Sequence, residues 1–208
     1  MEGRDIFKEE RDYQRFIHCL YEFNDQASAL PYKWLLRKKQ LLDIKRPREI
    51  LVKILCYCLM PNHFHLILQQ IVDGGITKFM RKLGTGWTMY FNEKYQRGGV
   101  LFQGKFKSII IDKDEYMMHL SRYIHLNPLE LNNPNWKEEG INDLEKARNF
   151  LKIYRWSSFK DYIGIKNFPS VIEKDFILNF FKDAACYESF VFSLLAEDLP
   201  KIKDLTLE

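Results

Sequence analysis

Two histidines one residue apart, His63 and His65, are the first residues in the chain whose type and spacing can do chemistry. They lie in the run His63-Phe64-His65-Leu66-Ile67-Leu68, which reads as a strand. Alternation on a strand puts both imidazoles on one face and Phe64, Leu66 and Leu68 on the other. Two converging imidazoles can ligate a divalent metal, or can be ordinary hydrogen-bonded histidines. Further along, Tyr123 and Asn127 stand four apart just before Pro128. On a helix that spacing places them one turn apart on one face. A side-chain amide oxygen can complete a metal's coordination, and a tyrosine one turn away could attack a phosphate. A core tyrosine with a helix-terminating Asn-Pro is the alternative that these residues leave open.

Other residues carry weaker signals. His119, one turn before Tyr123, could assist proton transfer, although a polar face packed near a sheet explains it as well. Tyr116 has no Asn-Pro context after it, and His125 lies off the Tyr123–Asn127 stripe and has no assigned role. Lys105 and Lys107 alternate with Phe102, Gly104 and Phe106, so a strand would turn lysines and phenylalanines to opposite faces. The lysines suit a nucleic-acid backbone, and the phenylalanines suit a core.

The elements that must position these residues follow from periodicity. Phe16, Leu20 and Phe23 predict an amphipathic helix over roughly 9–24. A second helix, with a basic face of Lys33, Arg37, Lys38 and Lys39, is expected over 32–44. Strands are expected at 54–59 and 63–68, joined by a Pro61-Asn62 turn. Thr77 is the expected N-cap of a helix reaching about 92, interrupted at Gly84-Thr85-Gly86. A long strand or hairpin arm is expected from Val100 to Ile111. Asp112 should cap a helix over about 113–126, stopped by Pro128. A helix near 143–152 and a helical tail from 173 complete the reading, which favours an α+β layer.

Composition sets bounds. With 46% hydrophobic and 15% aromatic residues among 208, a substantial core is expected and wholesale disorder is not. The net charge of +4 is unevenly spread. Lys78, Arg81, Lys82, Lys94, Arg97, Lys105 and Lys107 face one acid, Glu93, whereas the chain beyond Val171 is acidic. A polyanion is therefore expected on the middle of the chain, and a solvated charged face is the plainer alternative. Cys19, Cys56, Cys58 and Cys186 lack zinc-ribbon spacing and read as thiols in a reducing compartment. No apolar run approaches the roughly 20 residues of a spanning helix, and no signal peptide is evident, so the expected location is the cytoplasm.

Three segments follow one another in order: Cys58-Leu59-Met60-Pro61-Asn62-His63-Phe64-His65-Leu66, Gly99-Val100-Leu101-Phe102-Gln103-Gly104-Lys105-Phe106-Lys107, and Arg122-Tyr123-Ile124-His125-Leu126-Asn127-Pro128. Together they resemble the single-tyrosine HUH transposases, specifically the branch of REP-associated tyrosine transposases. The resemblance covers roughly residues 3–165, and Trp156-Ser157-Ser158-Phe159 with Tyr162 is similar to that family's later motif.

The resemblance implies an α+β fold built on a ferredoxin-like antiparallel sheet with helices on one side. It divides the chain into a catalytic part, 1–165, and a helical, acidic C-terminal extension, 166–208. It implies His63 and His65 as paired metal ligands, Asn127 as the third, and Tyr123 as the nucleophile. The implied cofactor is Mg2+ or Mn2+, and the implied partner is hairpin-bearing single-stranded DNA. Two imidazoles and an amide oxygen suit manganese better than magnesium. The candidate DNA-binding residues are Lys78, Arg81, Lys82, Arg97, Lys105 and Lys107. Attack by Tyr123 would leave a 5′-phosphotyrosine and a free 3′-hydroxyl, conserving the phosphodiester's energy for rejoining.

Members of that family carry a strand before the segment matching Gly3-Arg4-Asp5-Ile6-Phe7, so either a missing first strand or a sheet closed differently is expected here, and the loss of an inner strand would expose backbone donors and apolar side chains. The stretch from about 25 to 50 exceeds a minimal crossover, and its basic helix is a candidate DNA contact. Two rival functions remain at this level: a replication-initiator-type nickase, and a non-catalytic DNA-binding repressor that keeps the fold. A homodimer, with Tyr123 serving its own metal site or its partner's, is compatible with either.

Overall fold

The computed structural model describes residues 4–27 and 48–196. The expected basic helix over 32–44 lies outside the described residues. In chain order the elements are α1 (Glu10–Glu22), β1 (Val52–Met60), β2 (His63–Gln70), α2 (Gly75–Lys94), α3 (Asp114–Leu126), α4 (Trp136–Glu139), α5 (Leu144–Ile153), α6 (Phe159–Tyr162), α7 (Asp175–Leu178) and α8 (Ala184–Ser193). A 3-10 turn, Asn127–Leu131, continues α3. The class is α+β, as expected.

Among the described residues the sheet is a two-stranded antiparallel hairpin, β1 against β2, joined through Pro61-Asn62. Directly opposed residues of such a pair share a face. Cys58 opposes His65 and Met60 opposes His63, so these four face one way, whereas the Leu59–Phe64 pair faces the other. Phe64 packs on Phe16 of α1 with ring centroids 4.8 Å apart, and Phe16 meets Trp87 of α2 at 5.0 Å. On the histidine side, Cys56 Sγ lies 3.2 Å from His125 Nε2 of α3. Helices therefore cover both faces instead of the one side expected. The reason is visible in β1, where Ile54 through Met60 are all buried: a strand apolar on both faces needs a cover on each.

The outer edge of β1 is not left bare. The Leu59 N–H donates to the Trp156 carbonyl (2.9 Å), and the Ser158 N–H donates to that of Tyr57 (3.0 Å). Ser158 Oγ accepts from the Tyr57 N–H, and the Glu173 N–H donates to the Ile54 carbonyl. The Trp156-Ser157-Ser158 corner thus pairs where a further strand would otherwise be needed. The turn is tied as well, since Ile6 and Phe7 N–H groups both donate to the Pro61 carbonyl. At the other end, buried Asn24 accepts from the Leu51 and Val52 N–H groups and donates to the Val52 carbonyl (2.7 Å).

The long helix α2 runs without a break through Gly84-Thr85-Gly86, and its N-cap is Gly74 rather than Thr77. A Cβ on Gly86 would meet the Phe23 ring at 2.3 Å, so glycine there lets the end of α1 lie directly on α2. Phe79, Leu83, Trp87 and Phe91, at four-residue intervals, form its fully buried stripe. Helix α3 starts after Lys113, not Asp112, with Asp114 and Glu115 in the first turn, where the helix dipole favours acids.

The stretch from Val100 to Ile111 contains no strand. Gly104 has φ +79°, which breaks the extended alternation, and no neighbouring strand pairs with this segment among the described residues. Phe102 still packs edge-on to Phe64 (6.0 Å), but Phe106 is exposed, so only one of the two phenylalanines does the core work expected of both.

Candidate functional site

His63 and His65 come together as their alternation predicts, ring centroids 4.9 Å apart and planes at 87°. His63 Nδ1 lies 2.6 Å from Asn62 Oδ1. An amide oxygen only accepts, so Nδ1 carries the proton and the Nε2 lone pair is directed inward, the tautomer a metal ligand needs. Nε2 of both rings is buried.

Tyr123 and Asn127 occupy consecutive turns, and the Asn127 N–H donates to the Tyr123 carbonyl. Helix geometry decides which way they point. His125 leans toward the outer edge of β1, where its Nε2 meets Ser158 Oγ at 2.8 Å. At about 100° per residue, Tyr123 and Asn127 lie about 40° apart on one face of α3, both turned about 160° from His125. Helix α3 packs on the histidine face of the hairpin through His125 and Cys56.

Asn127 is fully buried, and among the described residues neither its Oδ1 nor its Nδ2 has a hydrogen-bond partner. Leaving a buried amide unsatisfied costs about 1–3 kcal/mol, so such a group calls for an explanation. Among the described residues no group of three or more His, Cys, Asp or Glu could hold a metal ion. Among the described residues a third ligand beside the two histidines would be of another type, and the buried amide oxygen of Asn127 is one such donor. Two imidazoles and one amide oxygen are donor types that a divalent ion takes.

Tyr123 is only 4% exposed. Its hydroxyl receives a hydrogen bond from Lys137 Nζ, which also stands 4.7 Å from the ring centroid and pairs with Glu130 at 2.5 Å. The sequence reading missed Lys137 and Glu130. Pro128 ends the α-helix but the chain turns back, returning Lys137 over the tyrosine; no periodicity links residues on two elements separated by an irregular turn.

The remaining candidates are scattered. His119 is exposed, its Nδ1 lying 2.7 Å from an Arg122 guanidinium nitrogen. His125 lies in a buried polar cluster, with Tyr187 Oη 2.8 Å from its Nδ1; burial pushes its pKa down to about 3, so it stays neutral. Lys78, Arg81 and Lys82 sit on α2, the helix that covers the opposite face of the hairpin. Lys82 Nζ donates to the carbonyls of Asp25 (2.5 Å) and Ala27 (2.6 Å). Arg97 donates to Asn92 Oδ1 (2.8 Å). Lys105 and Lys107 are exposed on the irregular segment.

A sequence model described as "Transposase IS200 like" matches residues 14–127, more than half of the chain and a span that includes both histidines, the tyrosine and the asparagine. The chain belongs to the IS200-like transposase family. Neither a curated protein nor a solved structure matches it. Membership gives a DNA transposase-type function with DNA as the partner. Among the described residues no helix is long and apolar enough to cross a membrane.

Proposed function

We propose that this transposase nicks and rejoins hairpin-bearing single-stranded DNA through a 5′-phosphotyrosine on Tyr123, beside a divalent ion held by His63, His65 and Asn127. The observation that carries the reading is the buried, unsatisfied amide of Asn127, one turn from Tyr123 on the helix that covers the histidine face. A buried amide of this kind calls for a partner, and a bound ion would supply one to its oxygen. The order of the three sequence motifs supports the REP-associated branch, and the proposed place of action is the cytoplasm.

Bound Mg2+ or Mn2+ would supply Lewis acidity at a non-bridging oxygen of the scissile phosphate. His63 is held in its ligating tautomer by Asn62, and Asn127 presents an oxygen that no protein donor competes for. In the chemical step Tyr123 Oη forms a bond to phosphorus as the bond from phosphorus to the 3′-oxygen breaks. The phenolic proton leaves, and the departing 3′-oxygen gains one. The covalent link keeps the phosphodiester's energy, so a second strand's 3′-hydroxyl can reverse the step and join DNA. Lys78, Arg81, Lys82, Arg97, Lys105 and Lys107 form the candidate strand-binding set, and the exposed Lys105 and Lys107 are the best placed for phosphate contacts. Residues 1–165 form the catalytic part and 166–208 an extension, whose described part packs on α3 through Tyr187.

One observation favours a second reading. With Tyr123 only 4% exposed, a chain that binds DNA as a repressor without cutting it would look the same. End-labelled hairpin substrate with manganese separates the two. The proposal predicts one fragment with a free 3′-hydroxyl and the other bound to protein at its 5′ end, both absent in His63→Ala and His65→Ala. Binding without cutting in the presence of Mn2+ would support the repressor, and an adduct at a 3′ end would contradict the proposed polarity.

A further inference from the structure

The contact on the Tyr123 hydroxyl comes from outside the family's matched span. Lys137 and Glu130 both lie beyond residue 127, the last residue that the family match covers. Lys137 Nζ donates to Tyr123 Oη, lies against the same ring, and is paired with Glu130. Resting on the reading of Tyr123 as nucleophile, we propose that Lys137 is a further catalytic residue, stabilising the negative charge that develops on the phenolic oxygen during attack, with Glu130 fixing the ammonium in place.

The physical argument is one of difference between states. A neutral phenol gains a single hydrogen bond from the ammonium. An oxygen losing its proton gains that bond and the attraction of a full positive charge at contact distance. The interaction is therefore stronger in the charged state that attack requires than in the resting state, which is what accelerates a step. Burial of Tyr123 heightens the effect, because a charge near a water-poor site is poorly screened. An ammonium that donates cannot take up the phenolic proton. That proton passes to solvent, and the 3′-oxygen gains one on leaving, while the bond from Oη to phosphorus forms and that to the 3′-oxygen breaks. A rim ion pair between Lys137 and Glu130 alone would contribute little. Its consequence here is geometric, since Glu130 holds the ammonium from one side while the ammonium donates to the hydroxyl.

The test uses the full chain and two readouts. The first is the rate of covalent adduct formation on labelled hairpin DNA with Mn2+, measured across pH. The second is the ionisation of Tyr123 without DNA, read as the ultraviolet difference between each protein and its Tyr123→Phe counterpart. Lys137→Met should slow adduct formation at least tenfold at neutral pH, leave DNA affinity unchanged, and displace both the rise of rate with pH and the Tyr123 titration upward by one unit or more. Lys137→Arg should restore much of the rate. The double variant Glu130→Gln with Lys137→Met should stay slow.

An unchanged titration and pH profile in Lys137→Met would overturn the inference alone, with the nucleophile intact as long as Tyr123→Phe abolishes the adduct. A faster Lys137→Met would show a lock on the tyrosine instead of an aid, and recovery in the double variant would assign the effect to Glu130. An adduct that persists in Tyr123→Phe would remove the nucleophile reading, and the inference with it. Should the wild type form no adduct, the titration still decides what Lys137 does to the phenol.

Discussion

Asn127 concentrates the conflict between stability and function in one side chain. Its amide is buried without partners, so replacing it by Leu, the apolar residue of similar branching, should stabilise the metal-free protein by about 1 kcal/mol. For a chain of this length that is a rise of roughly 2–4 °C in Tm. The same variant should lose manganese-dependent cleavage. Calorimetry beside the cutting assay checks both, and a fall in Tm without loss of cutting would show the amide to be structural. At this scale the sequence was legible where a simple period holds. The single-residue spacing of His63 and His65 on a strand, and the four-residue spacing of Tyr123 and Asn127 on a helix, each translate directly into a shared face. Lys137 was not legible, because its approach to Tyr123 depends on how the chain turns after Pro128.

Two buried groups make predictions at the scale of packed elements. His125 sits among β1, α3, α6 and α8 with its pKa lowered to about 3 by burial, whereas the unfolded chain protonates it near the ordinary 6.5. A depressed folded value means stability present above pH 6.5 and lost as pH falls toward 3. Its share of the unfolding free energy should drop by about 1.4 kcal/mol per pH unit within that window, and His125→Gln should remove that share of the slope. Denaturant titrations at pH 6.5 and 5 check it, and an equal slope in both proteins would contradict it. Asp12, buried on α1, is opposed by its own desolvation. Hydrogen bonds from Lys94, Tyr95, the Lys8 N–H and Tyr90 outweigh this and lower its pKa below 3.8. Its contribution is therefore present above about pH 4 and lost as pH falls through the folded value. Asp12→Ala, which removes one of the two carboxylates paired with Lys94 of α2, should cost about 2–4 kcal/mol in urea unfolding near neutral pH.

Element boundaries show where periodicity misleads. Gly84-Thr85-Gly86 reads as an interruption, yet α2 continues through it because glycine serves a close approach of Phe23 and not a bend. Gly86→Ala should therefore destabilise the protein by about 1–3 kcal/mol despite alanine's higher helix propensity. A more stable variant would show that the contact can relax. The segment from Val100 to Ile111 misleads in the other direction. Its β-branched and aromatic residues suggest a strand, but pairing is a property of neighbours that its own sequence cannot supply, and Gly104 turns the chain out of extension.

At the scale of the whole molecule, one continuous buried cluster runs from Ile6 to Leu195. Tyr187 and Val191 of α8 are fully buried, and Tyr187 donates to Ser121 of the helix that carries Tyr123. Truncation after residue 165 should therefore loosen α3 and abolish cooperative unfolding, whereas a dispensable tail would leave the melting transition unchanged. The sequence disclosed the α+β class and the hairpin but not the cover on both faces, which follows from β1 being apolar throughout and not alternating. The proposed reaction turns on Tyr123 as its nucleophile. The most direct test is to incubate the protein with labelled single-stranded hairpin DNA and Mn2+, denature, digest, and identify the nucleotide-bearing peptide by mass. The account predicts a nucleotide linked to Tyr123 and no covalent product from Tyr123→Phe, with DNA binding retained. An adduct that survives that substitution, or one mapped to another residue, would contradict it.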